Sequence, residues 1–98
     1  MDQPIACALS PDQLRDRTTE LAALAARSLR SREPTAGGER LTFADDPRTE
    51  RELRAAVAAE ARCCAFLRFD LRHSGDALVL DVAGPADARP AIALLFAA

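Results

Sequence analysis

Leu67-Arg68-Phe69-Asp70-Leu71-Arg72-His73-Ser74-Gly75-Asp76-Ala77-Leu78-Val79-Leu80-Asp81-Val82 is the stretch whose reading decides the fold. Leu67, Phe69 and Leu71 alternate with Arg68, Asp70 and Arg72, which is the period of a strand with one buried face. Ser74-Gly75-Asp76 is a hairpin turn, and Leu78, Leu80 and Val82 form the return strand. The hairpin commits the chain to a sheet, and the flanking sequence must supply what packs on it.

Downstream, Gly84-Pro85 ends the return strand and Asp87 starts a last helix carrying Ile92, Leu95 and Phe96. Upstream, Asp45-Asp46-Pro47 opens a helix with Asp46 as cap and Pro47 just inside. Its stripe runs through Leu53, Ala56, Val57 and Glu60 to about Cys64. Before it, Arg40–Ala44 alternates as a strand with Leu41 and Phe43 on one face. Glu33–Gly38 is a turn-rich break. Ser10-Pro11-Asp12-Gln13 has the chemistry of a capping box with Pro at the first helical position. The stripe Leu14, Leu21, Leu24, Ala25 and Ser28 carries that helix to about Arg30. Residues Pro4–Leu9 read as a short strand with Ile5, Cys7 and Leu9 on one face.

The expectation is a single α/β domain over residues 1–98, with element order β-α-β-α-β-β-α. It has a four-stranded mixed sheet and helices packed on it. Right-handed crossovers place the first two helices on one face. Thioredoxin-like folds share this order, but their redox pair opens the first helix, where this chain has Ser10-Pro11-Asp12. That position argues against thioredoxin chemistry.

The chain has 98 residues and a formal net charge of -2, which argues against a general electrostatic grip on nucleic acid. All 13 basic residues are Arg, a bias that reflects base composition rather than function. Aromatics are confined to Phe43, Phe66, Phe69 and Phe96, and a core built mainly of Ala and Leu suggests close packing rather than a wide cavity. The longest apolar run, Ala91–Ala98, is too short to span a bilayer. The N-terminus lacks the basic start and apolar stretch of a signal peptide. A cytoplasmic protein is expected, and its 3 cysteines should then be thiols rather than a disulfide framework.

The adjacent pair Cys63-Cys64 is the least ordinary feature. Neighbours on a helix point about 100° apart, and a disulfide between them closes a strained small ring. Two thiols at a helix end can still converge on one large soft ion. Thiolates select Hg(II), Cd(II), Zn(II) or Cu(I) over hard ions, and As(III) is a further thiophilic candidate. Glu60 lies three and four residues before the pair, spacings that bring helical side chains together. It shares the stripe of Leu53 and Val57 and should face inward. As a ligand, proton acceptor or outer group it would raise the thiol pKa unless a cation offsets it. Cys7 points into the core and joins as a third sulfur if the second helix packs over the first strand. Each cysteine also has an inert reading as a small buried hydrophobe. Glu60 has one as a solvated helix residue, and His73, the only histidine, as a solvated residue before the turn.

Pro4-Ile5-Ala6-Cys7-Ala8-Leu9-Ser10, Ala59-Glu60-Ala61-Arg62-Cys63-Cys64-Ala65-Phe66-Leu67 and Leu78-Val79-Leu80-Asp81-Val82 resemble a small vicinal-cysteine domain. It forms the C-terminal part of some MerR-like heavy-metal regulators and occurs in short stand-alone proteins. The resemblance covers most of the chain and implies handling or sensing of a thiophilic metal or metalloid through Cys7, Glu60, Cys63 and Cys64. There is no room here for a winged helix-turn-helix domain, so direct nucleic-acid binding is not expected.

Three functions follow as expectations. The first is a cytosolic protein that binds a thiophilic ion for sequestration, delivery or sensing. The second is a small thiol-dependent enzyme like an organomercurial lyase, with Glu60 as acid/base and the cysteines as nucleophiles. The third is a structural module with inert cysteines, whose C-terminal helix (Ile92, Leu94, Leu95, Phe96) supports a homodimer.

Overall fold

The computed structural model of the chain describes residues 11–63 and 65–96. The expected strand Pro4–Leu9 with Cys7, the Ser10 cap, Cys64 and the side chain of Cys63 lie outside the described residues. The described elements are α1 (Pro11–Ser28), β1 (Leu29–Pro34), β2 (Gly38–Ala44), α2 (Pro47–Cys63), β3 (Arg68–Ser74), β4 (Ala77–Ala83), a 3-10 turn over Ala86–Ala88, and α3 (Arg89–Leu94).

The decisive hairpin forms as its sequence demands. β3 and β4 pair antiparallel from Arg68↔Ala83 to Ser74↔Ala77, leaving Gly75 and Asp76 as a two-residue loop. Gly75 takes φ 62, the left-handed conformation that only glycine adopts without cost. β4 also pairs antiparallel with β2, and β2 with β1. The sheet order is β1-β2-β4-β3. β2 and β3 thus run parallel on either side of β4 and are joined by α2, a split β-α-β arrangement.

Two expectations are corrected. The described order is α-β-β-α-β-β-α, and the four described strands are all antiparallel to their neighbours rather than mixed. The cause is β1. The sequence of Leu29-Arg30-Ser31-Arg32-Glu33-Pro34 reads as the tail of a helix followed by a loop, because only one of its two inward positions, Leu29, is apolar. Only Leu29 and Arg32 are half-buried, and the register shifts between Leu29 and Ser31. Arg32 occupies the inward place by laying down its stem and delivering its guanidinium elsewhere. The head binds Glu39 and the carbonyls of Ala93 and Leu95 at the end of α3. β1 is an edge among the described strands, and its charged residues, the terminal Pro34 and the irregular register make it a poor template for further pairing.

The sheet has one apolar and one polar face. Leu41, Phe43, Leu78, Leu80 and Val82 are at most 1 % exposed. They pack with Leu21, Leu24 and Ala25 of α1, Leu53 of α2, and Ile92 and Phe96 of the C-terminal segment. All three helices therefore lie on one face, and the expected placement of the two long helices on the same face holds. The Phe43 and Phe96 rings meet edge to face, centroids 5.4 Å apart at 70°. On the opposite face Arg40 binds Asp81, and Arg72 binds both Asp70 and Asp81. The two guanidiniums hold the Asp81 carboxyl below its usual range, Arg40 contributing most. Of the C-terminal residues that were expected to offer a dimer contact, Ile92 and Phe96 are consumed by the core, and Leu94 is 70 % exposed.

Candidate functional site

α2 begins with the expected cap. Asp46 accepts the Thr49 backbone N–H at 2.9 Å through Oδ1, and Pro47 occupies the first helical position. Thr49 Oγ1 donates to Asp46 Oδ2 at 2.9 Å, which leaves it to accept from Ser28 Oγ at 2.8 Å. Hydrogen bonds from the Thr49 backbone and hydroxyl hold Asp46 below the ordinary carboxyl pKa. Thr49 is fully buried and Ser28 nearly so. A polar relay thus ties the last residue of α1 to the first turn of α2.

Glu60, at the other end of α2, is 4 % exposed, so the inward placement expected from its stripe is correct. Its Oε2 accepts from Arg17 Nη1 at 2.9 Å. Arg17 belongs to α1, and Ser28–Thr49 and Arg17–Glu60 are therefore two ties between antiparallel helices. Eleven residues separate the tied positions on each helix, close to three turns at 3.6 residues per turn. Between them Arg27 pairs with Glu52, which Arg48 also reaches, and these two arginines hold Glu52 below its ordinary pKa, Arg27 first.

The small side chains of Ala23, Ala55, Ala56 and Ala59 leave an open groove of about 490 Å³ between the helices, rimmed by Arg17, Glu20, Arg27, Arg48 and Glu52. The sequence pointed to close packing instead. Alanine permits close approach but does not fill the space between two helices whose longer side chains pair across the rim.

Of the expected site residues, the structure fixes Glu60 and the place of Cys63 in the chain. The described part of α2 runs to Cys63, three residues beyond Glu60, and Cys64 lies outside the described residues. Arg17 was not anticipated. Its signal lay in the spacing: it stands three residues after Leu14 and four before Leu21, a charge on the apolar stripe. Glu60 follows Leu53 by seven residues and Val57 by three, also on a helical stripe, so each helix carries one charge where apolar residues belong.

A second group of donors lies at the opposite end of α2. Asp45, Glu50 and His73 each bring one atom within 4.8 Å of the others. His73 Nδ1 is 3.2 Å from Asp45 Oδ2, and Nε2 is 3.3 Å from Glu50 Oε2. His73 is not simply solvated, as its sequence position suggested. Two carboxylates and an imidazole form a harder donor set than paired sulfurs, and both ring nitrogens are engaged by carboxylates. Glu50 is further held by Arg54 at 2.8 Å, the first cause of its lowered pKa.

Among the described residues, no helix is long and apolar enough to cross a membrane. No protein-family model, curated protein or solved structure matched the chain in comparison.

Proposed function

We propose that the protein binds a thiophilic metal or metalloid ion at the C-terminal end of α2 through Cys63 and Cys64, with Cys7 as a third sulfur and Glu60 as the adjoining carboxylate. The ion is sequestered, delivered or sensed rather than chemically turned over. The observation that carries this reading is the burial of Glu60 on the helical turn before a vicinal thiol pair. A carboxylate is rarely placed inside a small domain without a partner, and here it is neutralised by Arg17 at 2.9 Å. That pairing offsets the charge that would otherwise oppose thiolates three and four residues along the chain. The resemblance to the vicinal-cysteine part of heavy-metal regulators points the same way.

Soft donors rank the candidate ions as Hg(II), Cd(II), Cu(I), Zn(II) and As(III) ahead of Mg(II) and Ca(II). The test is titration of the fully reduced protein with Hg(II), Cd(II), Zn(II) and As(III), followed by thiolate–metal absorption and calorimetry. The Cys63→Ser/Cys64→Ser variant should lose tight binding of at least one ion by two orders of magnitude or more, and Cys7→Ser should weaken it less. Equal affinity of parent and double variant for every ion would end this reading.

A further inference from the structure

The contacts of His73 bear on how many protons its ring carries. A neutral imidazole has one N–H, and its other nitrogen is an acceptor. Here both nitrogens face carboxylate oxygens, at 3.2 and 3.3 Å. A neutral ring would set one lone pair against an acceptor; only the imidazolium donates to both. We propose that His73 is a proton-operated clamp, which in its charged form ties the end of β3 to the loop before α2 and to the first turn of α2, and on losing a proton gives up one of the two ties.

The surroundings isolate this chemistry. From the β2–α2 loop the facing group is Asp45, while the neighbouring Asp46 is committed to Thr49. From α2 it is Glu50, held on its other side by Arg54. From β4 the residue opposite His73 is the apolar Leu78. On β3 itself Arg72 binds Asp70 and Asp81 on the other sheet face. In the hairpin turn Asp76 pairs with Arg30.

Asp45 first, then Glu50, raises the ring's pKa above its ordinary 6.5. For a raised value the stabilisation is complete below the unfolded pKa and disappears as pH rises through the folded one. The working window therefore opens at about 6.5 and extends upward. Its place in the fold gives the clamp a mechanical consequence. α2 and β3 are joined through the chain at the Cys63 end, and the clamp closes the opposite end of the same unit.

One histidine in the chain makes the experiment direct. The His73 ring is titrated by NMR in the full-length protein with a chelator present, in the parent and in the Asp45→Asn, Glu50→Gln and doubly substituted variants. The clamp requires a midpoint above 6.5 in the parent, a step down in each single variant, and return to about 6.5 in the double variant. It also requires that the urea midpoint of the parent fall across this window while that of His73→Gln stays flat. A parent midpoint at or below 6.5, or one unmoved in the double variant, overturns the proposal. So does suppression of the ring's titration by stoichiometric Zn(II) after the chelator is removed, which would make the three residues a metal site instead.

Discussion

Replacing Thr49 by Val keeps the shape of a fully buried side chain and removes only its hydroxyl, so the cost isolates the relay from Ser28 through Thr49 to Asp46. Thr49 Oγ1 donates to a carboxylate at 2.9 Å, and a hydrogen bond to a charged group contributes about 1.5–3 kcal/mol. The change also takes the partner from the Ser28 hydroxyl, which is 5 % exposed, and an orphaned buried hydroxyl costs about 1–3 kcal/mol. Ser28 recovers part of this by turning to a carbonyl one turn back in α1. The expected loss for Thr49→Val is about 3 kcal/mol, and for Ser28→Ala about 1 kcal/mol. The double variant leaves no orphaned serine, so it should cost about as much as Thr49→Val alone, a coupling of about 1 kcal/mol. Urea unfolding followed by circular dichroism measures all four corners. A loss of 3 kcal/mol lowers the melting temperature by about 12 °C or more in a domain of this size. Strict additivity would refute the argument, because it would mean that the two hydroxyls do not share one buried hydrogen bond.

Two further expectations follow from the fold. Gly38→Ala should destabilise by about 3 kcal/mol or more, since an added Cβ would stand 1.9 Å from the Val82 carbonyl oxygen and neither backbone can retreat; an unchanged urea midpoint would contradict the close approach of β2 and β4. Asp81 has a depressed pKa, so its contribution is present above its ordinary 3.8 and is lost as pH falls through the lower folded value; Asp81→Asn should flatten the acid limb of the stability curve, and an unaltered limb would show that Arg40 and Arg72 do not depend on it.

Much of this fold is legible in the chain, and the part that is not has a clear cause. β3, β4 and β2 announce themselves because Phe69, Leu71, Leu78, Leu80, Leu41 and Phe43 recur with period two on one face. The start of α2 is equally plain, since Asp46 and Pro47 have the chemistry that a helix start requires. β1 is hidden because tertiary contacts make it a strand. Arg32 fills an inward position and is satisfied by Glu39 and by carbonyls of α3, partners more than sixty residues away in the second case. No local period reports that. In the candidate site, the inward turn of Glu60 could be read from its stripe, and Arg17 could have been found by asking which basic residue broke the stripe of α1. The cluster around His73 was not legible, because Asp45, Glu50 and His73 come from three elements whose adjacency is set by the sheet order.

The two ties between α1 and α2 bear on why a charge is buried at Glu60, three residues before Cys63. A pair of charges removed from water gives little net stability compared with apolar residues of the same volume, so stability alone is a poor reason for Arg17 and Glu60. Register is a better one. The facing surfaces carry Ala23, Ala55, Ala56 and Ala59, and smooth alanine surfaces discriminate weakly between one alignment and another a turn away. A slip of one turn moves one helix by about 5.4 Å, which separates Arg17 from Glu60 and Ser28 from Thr49 together. Because the ties stand eleven residues apart on both helices, one alignment satisfies both, and any shift breaks both together. The last described turn of α2 is therefore held in register by the ion pair as well as by the packing of Leu21, Leu24 and Leu53.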